Sequence, residues 1–177
     1  MMKAMDMNEE ARLNLLRRRA FRLATPVRNE TGSEFALEIL VFTLSGERYA
    51  LPIDKTGSVA PCLRLCPIPG TPDHILGIAH VDGELLPIVD LGPRFGLGRG
   101  VPGKDSRIIV LENESMKFGL FAELVVGSRL VDRSELHPPL QQGCGPASYL
   151  LSILSDGTVL INADSILSDE SLIVRDE

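Results

Sequence analysis

The sequence has no tryptophan and only 5% aromatic residues, so valine, isoleucine and leucine must fill whatever core it forms. Cysteine is nearly as scarce. Three residues without a signal-like start argue against a disulfide framework and for a reducing compartment, the cytoplasm. No apolar run approaches the ~20 residues of a membrane span, which argues against direct membrane insertion. The three histidines, at 74, 80 and 137, are too scattered for a Ser-His-Asp arrangement. A net charge of −6 argues against nucleic acid as a partner.

The charge that is present is unevenly placed. Residues 11–28 carry six arginines and no acid, while residues 29–177 hold −10. Residues 8–24 read as a helix with Asn8 as N-cap and Glu9 and Glu10 in its first turn. Leu13, Leu16, Ala20 and Leu23 fall on one side, with Arg12, Arg17, Arg18, Arg19 and Arg22 around the rest. Such a helix either lies on its own body or docks in an acidic groove of another protein, with a membrane surface as a third option. The candidate docking residues are Leu13, Leu16, Arg17 and Leu23. Residues 1–34 are thus an Arg-rich amphipathic helix and linker, and residues 168–177 a short acidic tail.

Between them nearly everything is strand-like. The organising stretch is Leu76 to Leu91, two apolar runs flanking Asp82-Gly83, a pair that supplies the positive φ of a two-residue primed turn. Both arms are apolar enough to be buried on both faces, and Pro87 places its strand at an edge or a bulge. Tyr49-Ala50-Leu51 aligns with Phe118-Gly119-Leu120, 69 positions later. Asp82-Gly83 and Asp90 align with Asp156-Gly157 and Asp164, each 74 later. This repeat predicts an all-β body of two five-stranded barrels packed on each other, with halves at 35–92 and 104–167 and strands open to exchange.

Phe42-Thr43-Leu44-x-Gly46-Glu47-x-Tyr49-Ala50-Leu51-Pro52-Ile53, then Ile68-Pro69, then Gly77-Ile78-x-x-Val81-x-Gly83-Glu84-Leu85-Leu86-Pro87-Ile88-Val89-Asp90-Leu91 resemble CheW-like domains over residues 36–167. The resemblance implies two SH3-like barrels and a non-enzymatic adaptor, without cofactor, that joins the tips of methyl-accepting chemoreceptors to a CheA-type histidine kinase and packs with other CheW-like domains in arrays. On the matching positions it implies a protein-binding groove and hairpin tip at Thr56, Ser58, Val59, Ile78, His80, Val81, Asp82, Gly83 and Glu84. Two departures stand out. His80-Val81-Asp82-Gly83 replaces the family's usual Asn-Leu-Arg-Gly, and Thr56-Gly57-Ser58-Val59 replaces its Val-x-Glu-Ile/Val. An acid in place of a base on a contact surface repels the former partner and redirects specificity.

Reactive chemistry is weaker. Gly98-x-x-x-x-Gly103-Lys104 is followed by Asp105 rather than Ser or Thr, and by a strand-like run instead of a helix, so it does not make a phosphate loop. If extended, Cys62 and Cys66 lie roughly 13 Å apart, too far to share a metal with His74 and His80. Cys144 has no histidine nearby in sequence. Asp90 and Asp164 occupy capping positions. The alternative to an adaptor is a small-ligand or metal-binding module on the same barrels.

Overall fold

Asp82 and Gly83 take φ of 51° and 91°, and Ser45 and Gly46 take 49° and 79°. Two consecutive left-handed residues form a primed turn, whose twist matches that of the strands it joins. The computed structural model describes residues 36–139 and 146–172, and the helix expected over residues 8–24 and Cys144 lie outside them. Eleven strands occur among the described residues. They are β1 (Leu37–Leu44), β2 (Glu47–Pro52), β3 (Val59–Pro61), β4 (Ile75–Val81), β5 (Glu84–Val89), β6 (Arg107–Glu112), β7 (Lys117–Ala122), β8 (Leu124–Val131), β9 (Leu136–His137), β10 (Leu150–Leu154) and β11 (Val159–Ile161). Helix α1 (Ala163–Leu167) follows, and the Asn162 side chain accepts the Ser165 N–H at 3.1 Å as its cap.

The strands form two curled sheets, ordered β8-β1-β2-β11-β10-β9 and β3-β6-β7-β5-β4. The hydrogen bonds therefore do not divide the body into residues 35–92 and 104–167. The β1–β2 hairpin leaves the first half to join β8 and β9–β11, and the β6–β7 hairpin leaves the second half to join β3–β5. Each exchange is closed by a parallel seam. Tyr49 and Ala50 pair with Val159 and Leu160 in one sheet, and Gly119 and Leu120 with Ile88 and Val89 in the other. The residues repeated 69 positions apart thus occupy the same place in both sheets. Asp90 and Asp164 do not. The strand ends at Val89 in one sheet and Ile161 in the other, so the counterpart of Asp90 is Asn162. Their N–H groups donate to the carbonyls of His74 and Tyr149, both at 2.8 Å. The second hairpin has two fewer residues between its glycine and its strand end, which displaces the sequence alignment.

The exchange follows from β1, whose sequence LEILVFTL is apolar at both parities. Ile39 and Val41 join Ala50, Val131, Leu154 and Leu160 in a core within the first sheet. Leu40, Phe42 and Leu44, with Tyr49 and Leu51, belong instead to the large cluster that includes Leu86, Ile88, Phe118 and Leu120 of the second. A strand buried on both faces reads as a continuous apolar run. Aromatic rings continue this cluster toward the C-terminus: Phe42–Tyr49, Tyr49–Phe95 and Phe95–Tyr149 have centroids 6.2, 5.1 and 6.3 Å apart.

One detail refines the expected hairpin. Strand β5 lies between β7 and β4 rather than at an edge, while the other expected form, a bulge, occurs beside Pro87 as a register shift between Ile75 and Gly77. Pro87 is accommodated because its partner Ile78 exchanges its own N–H and C=O with Cys66, at 2.9 and 2.8 Å, and because the ladder to β7 begins only at Ile88. The strand that starts at Val59 stops at Pro61, and the chain then crosses over Gly77. Of the expected acidic tail 168–177, only Ser168–Leu172 is described, and there Leu172 is buried in the core. Burying one leucine is worth about 1.5–3 kcal/mol, whereas fixing each residue's backbone costs about 1–2 kcal/mol. The Ser168–Leu172 segment therefore depends on its hydrogen bonds as well.

Gly77 has φ of 144°, and a Cβ there would stand 2.2 Å from the Cys66 carbonyl oxygen. Gly77→Ala is expected to destabilise the protein by about 2–4 kcal/mol, read from urea unfolding at constant m-value.

Candidate functional site

The β4–β5 hairpin presents an apolar surface, because alternation sorts its apolar residues onto two faces. Ala79, Val81, Leu86 and Ile88 point into the core. The cross-strand pairs His80–Leu85 and Ile78–Pro87 form the outer face. There His80 and Pro87 are exposed, Ile78 is half-buried, and Leu85 is 62% exposed. Ile68, 40% exposed, follows the Cys66 bridge to Ile78. The result is an apolar patch with one histidine. The expectation that both arms are buried on both faces fails here, and Leu85 is the residue the sequence reading missed. Its signal was the alternation itself, since Leu85 and Leu86 cannot both face inward.

At the tip, Asp82, Gly83 and Glu84 are exposed. Glu84 ion-pairs with Lys117 at 2.5 Å, and Lys117 pairs with Glu112 at 3.0 Å. Hydrogen bonds that the Lys117 ammonium donates to Glu84 first and then to Glu112 hold it above its usual pKa range. The lysine thus ties the hairpin tip to the β6–β7 turn. Glu112 in turn lines a cleft of about 350 Å³ with Asp54, Lys55, Thr56, Gly57, Asn113, Asp164 and Leu167. The cleft lies between the 3-10 turn Ile53–Lys55, the β6–β7 turn and α1, and Lys55 bridges to Asp164 at 3.0 Å.

The expected contact residues therefore separate. Asp82, Gly83 and Glu84 form the tip, and Ile78 and His80 belong to the outer patch. Thr56 lines the cleft, where its hydroxyl donates to the Ile53 carbonyl at 2.8 Å. Ser58 accepts the Val110 N–H through its carbonyl at 2.8 Å, and Val59, half-way to full exposure, lies on β3 at the far end of the five-stranded order. Val81 is the exception. It is 2% exposed and turned into the core, so it supports the hairpin from beneath without reaching a partner.

The polar residues that suggested chemistry have structural work. Asp90 is buried, and its two oxygens accept the N–H groups of Gly92 at 2.8 Å and Gly100 at 2.6 Å. The glycine-rich loop is thus folded around a carboxylate of its own chain. Burial raises the pKa of the Cys62 thiol, while Cys66 is exposed. Among the described residues no three His, Cys, Asp or Glu side chains converge as metal ligands, and no helix is long and apolar enough to cross a membrane.

Comparison with known proteins gives one consistent answer. A family model described as CheW-like domain matches residues 38–171. The chain is 26% identical to the chemotaxis protein CheW of Klebsiella aerogenes over 150 residues, covering 82% of this chain and 90% of that one. It is 29% identical to protein FrzA of Myxococcus xanthus over 66% of this chain and 73% of the relative. The match to CheW of Helicobacter pylori, at 24% identity, spans 60% of this chain and 64% of that protein. The crystal structure of the scaffolding protein TtCheW from Thermoanaerobacter tengcongensis superposes with a TM-score of 0.65 at 29% identity, over 77% of this chain and 90% of that one.

The two faces of the hairpin can be told apart by charge. Leu85→Asp is expected to change stability by no more than about 0.5 kcal/mol, whereas Leu86→Asp, one residue on, costs more than about 3 kcal/mol or prevents folding. Chemical denaturation of the two variants measures the difference.

Proposed function

The chain belongs to the CheW-like domain family, and from that premise we propose that it is a coupling scaffold of a chemosensory array, working in the cytoplasm. Its role is to hold a CheA-type histidine kinase to the tips of chemoreceptors. It acts by presenting surfaces, and its buried polar residues serve the fold.

The observation that carries this reading is the β4–β5 hairpin, with its uncovered apolar face at Leu85, Pro87 and Ile78 beside the acidic tip Asp82–Glu84. An apolar centre edged by charge is how protein interfaces combine affinity with selectivity. The groove between the sheets adds a second surface, where Thr56 and Gly57 meet Glu112 and Asp164. Asp82 stands where the resemblance leads one to expect arginine, so the tip selects a partner whose contact surface is basic. FrzA and the PilI protein of Pseudomonas aeruginosa, 32% identical over 108 residues, are relatives that do not carry the chemotaxis name. They support a divergent branch of chemosensory coupling for this chain. The Arg-rich stretch of residues 11–28, with Leu13, Leu16, Arg17 and Leu23, offers a further docking element whose positive charge complements an acidic partner.

Two substitutions test the assignment in a titration against the cognate kinase and receptor fragment. Asp82→Arg is expected to shift the dissociation constant for at least one partner by more than tenfold, about 1.4 kcal/mol, with unfolding unchanged. Leu85→Asp is expected to weaken binding by a similar factor. Wild-type affinity in both variants for both partners refutes the hairpin as the docking surface.

A further inference from the structure

A buried histidine meets several partly buried polar groups where the segment Ser168–Leu172 packs back on the body. The 3-10 turn Pro93–Phe95 carries Arg94, whose Nη2 donates to the carbonyl and to the hydroxyl of Ser171, both at 3.0 Å. The Tyr149 hydroxyl donates to Asp169 Oδ2. Asp169 Oδ1 accepts the Ser171 N–H at 2.8 Å, and the Leu172 side chain is buried beyond it. Into this cluster points His74, the residue before β4. Its ring is buried, and among the described residues Nε2 has no hydrogen-bond partner. The unpartnered Nε of Arg94 is buried in the same cluster.

We propose that Ser168–Leu172 is an acid-released latch, closed while His74 is neutral and opened when its ring takes up a proton. The groups facing His74 are Arg94 from the 3-10 turn, Asp169 and the Leu172 backbone from the latch itself, and Asp73 from its own connection. A proton on the buried ring places a second cation beside the partly buried Arg94 guanidinium that holds Ser171. Asp169, Asp73 and a hydrogen bond from the ring to the Leu172 backbone offset part of this, but burial and Arg94 outweigh them, and Asp169 is already engaged by Tyr149 and Ser171. Opening relieves the conflict in one step, because it hydrates the ring and frees the guanidinium. The latch is the end of the described chain and adds no strand to either sheet, so it opens without unfolding them.

The electrostatics have the required sign. Burial, then Arg94, lowers the His74 pKa, so the closed state prefers the neutral ring. A group of this kind stabilises the closed state fully above the open-state pKa of ~6.5, and the stabilisation is lost as pH falls through that value. Asp169 lies on the other side of the window. Burial alone would raise its pKa, but the hydrogen bonds from Ser171 and Tyr149 and the charge of Arg94 outweigh it and bring it below the usual 3.8. It remains ionised throughout.

The test uses the full chain. Amide protection at Ser171 and Leu172, corrected for intrinsic exchange, is expected to fall about fivefold or more between pH 7.5 and 5.5, while β1 and β7 stay protected. In His74→Gln the fall is expected to disappear. An equal fall in that variant, or none in the wild type, overturns the latch. Should His74→Gln fail to fold, an NMR titration of the wild-type protein decides the matter. The Ser171 and Leu172 amide shifts are expected to move with the midpoint of the His74 ring, and amides that do not follow the ring overturn the proposal.

Discussion

Strand β1 has no solvent side over most of its length, and this double burial holds the two sheets together. Ile39 and Val41 fill the interior of one barrel while Leu40, Phe42 and Leu44 enter the cluster shared with the other. At about 25 cal/mol per Å² of apolar surface removed from water, a strand buried on two faces contributes to two cores at once. Neither sheet can be pulled away without exposing one of those faces. The reciprocal hairpins enforce the same bond through the backbone, since each sheet takes its parallel seam from the other half of the sequence.

This construction also explains where surfaces are free to evolve. With the core spent on joining the sheets, the hairpin between β4 and β5 keeps one face for itself. Cross-strand pairing sets His80 against Leu85 and Ile78 against Pro87, so a contiguous patch arises on a rigid two-stranded support without a pocket. The Glu84–Lys117–Glu112 clamp fixes the tip against the neighbouring turn. Exposed ion pairs of this kind add little stability. Their effect here is positional, because they tie the tip of the hairpin to the β6–β7 turn.

Much of the fold was legible in the sequence, for identifiable reasons. The turn at Asp82-Gly83 was readable because few residues tolerate paired positive φ. The repeat was readable because both copies must supply a strand to a parallel seam. What stayed hidden depends on which partner a strand chooses. Alternation marks a buried face but does not name the sheet that covers it, so nothing in residues 37–52 announces that they complete the barrel of the later half. For the same reason Val81 could not be separated from Ile78, nor Leu85 from Leu86, until the hairpin's inner face was known. The acidic ending resembled a tail because Asp169 and Glu170 dominate it, yet Leu172 and Tyr149 anchor it.

The exchange of hairpins has a consequence for biosynthesis. A ribosome releases β1 and β2 first, but their parallel neighbour β11 and the outer strand β8 emerge more than seventy residues later. The opening hairpin must therefore wait with two apolar faces unpaired, while β3 to β7 already have every neighbour they need. Vectorial synthesis thus imposes an order in which the middle of the chain condenses first and its two ends close last, around each other. Of the described strands, the one with two apolar faces to cover is made first, and the interval before it is covered is set by the speed of translation.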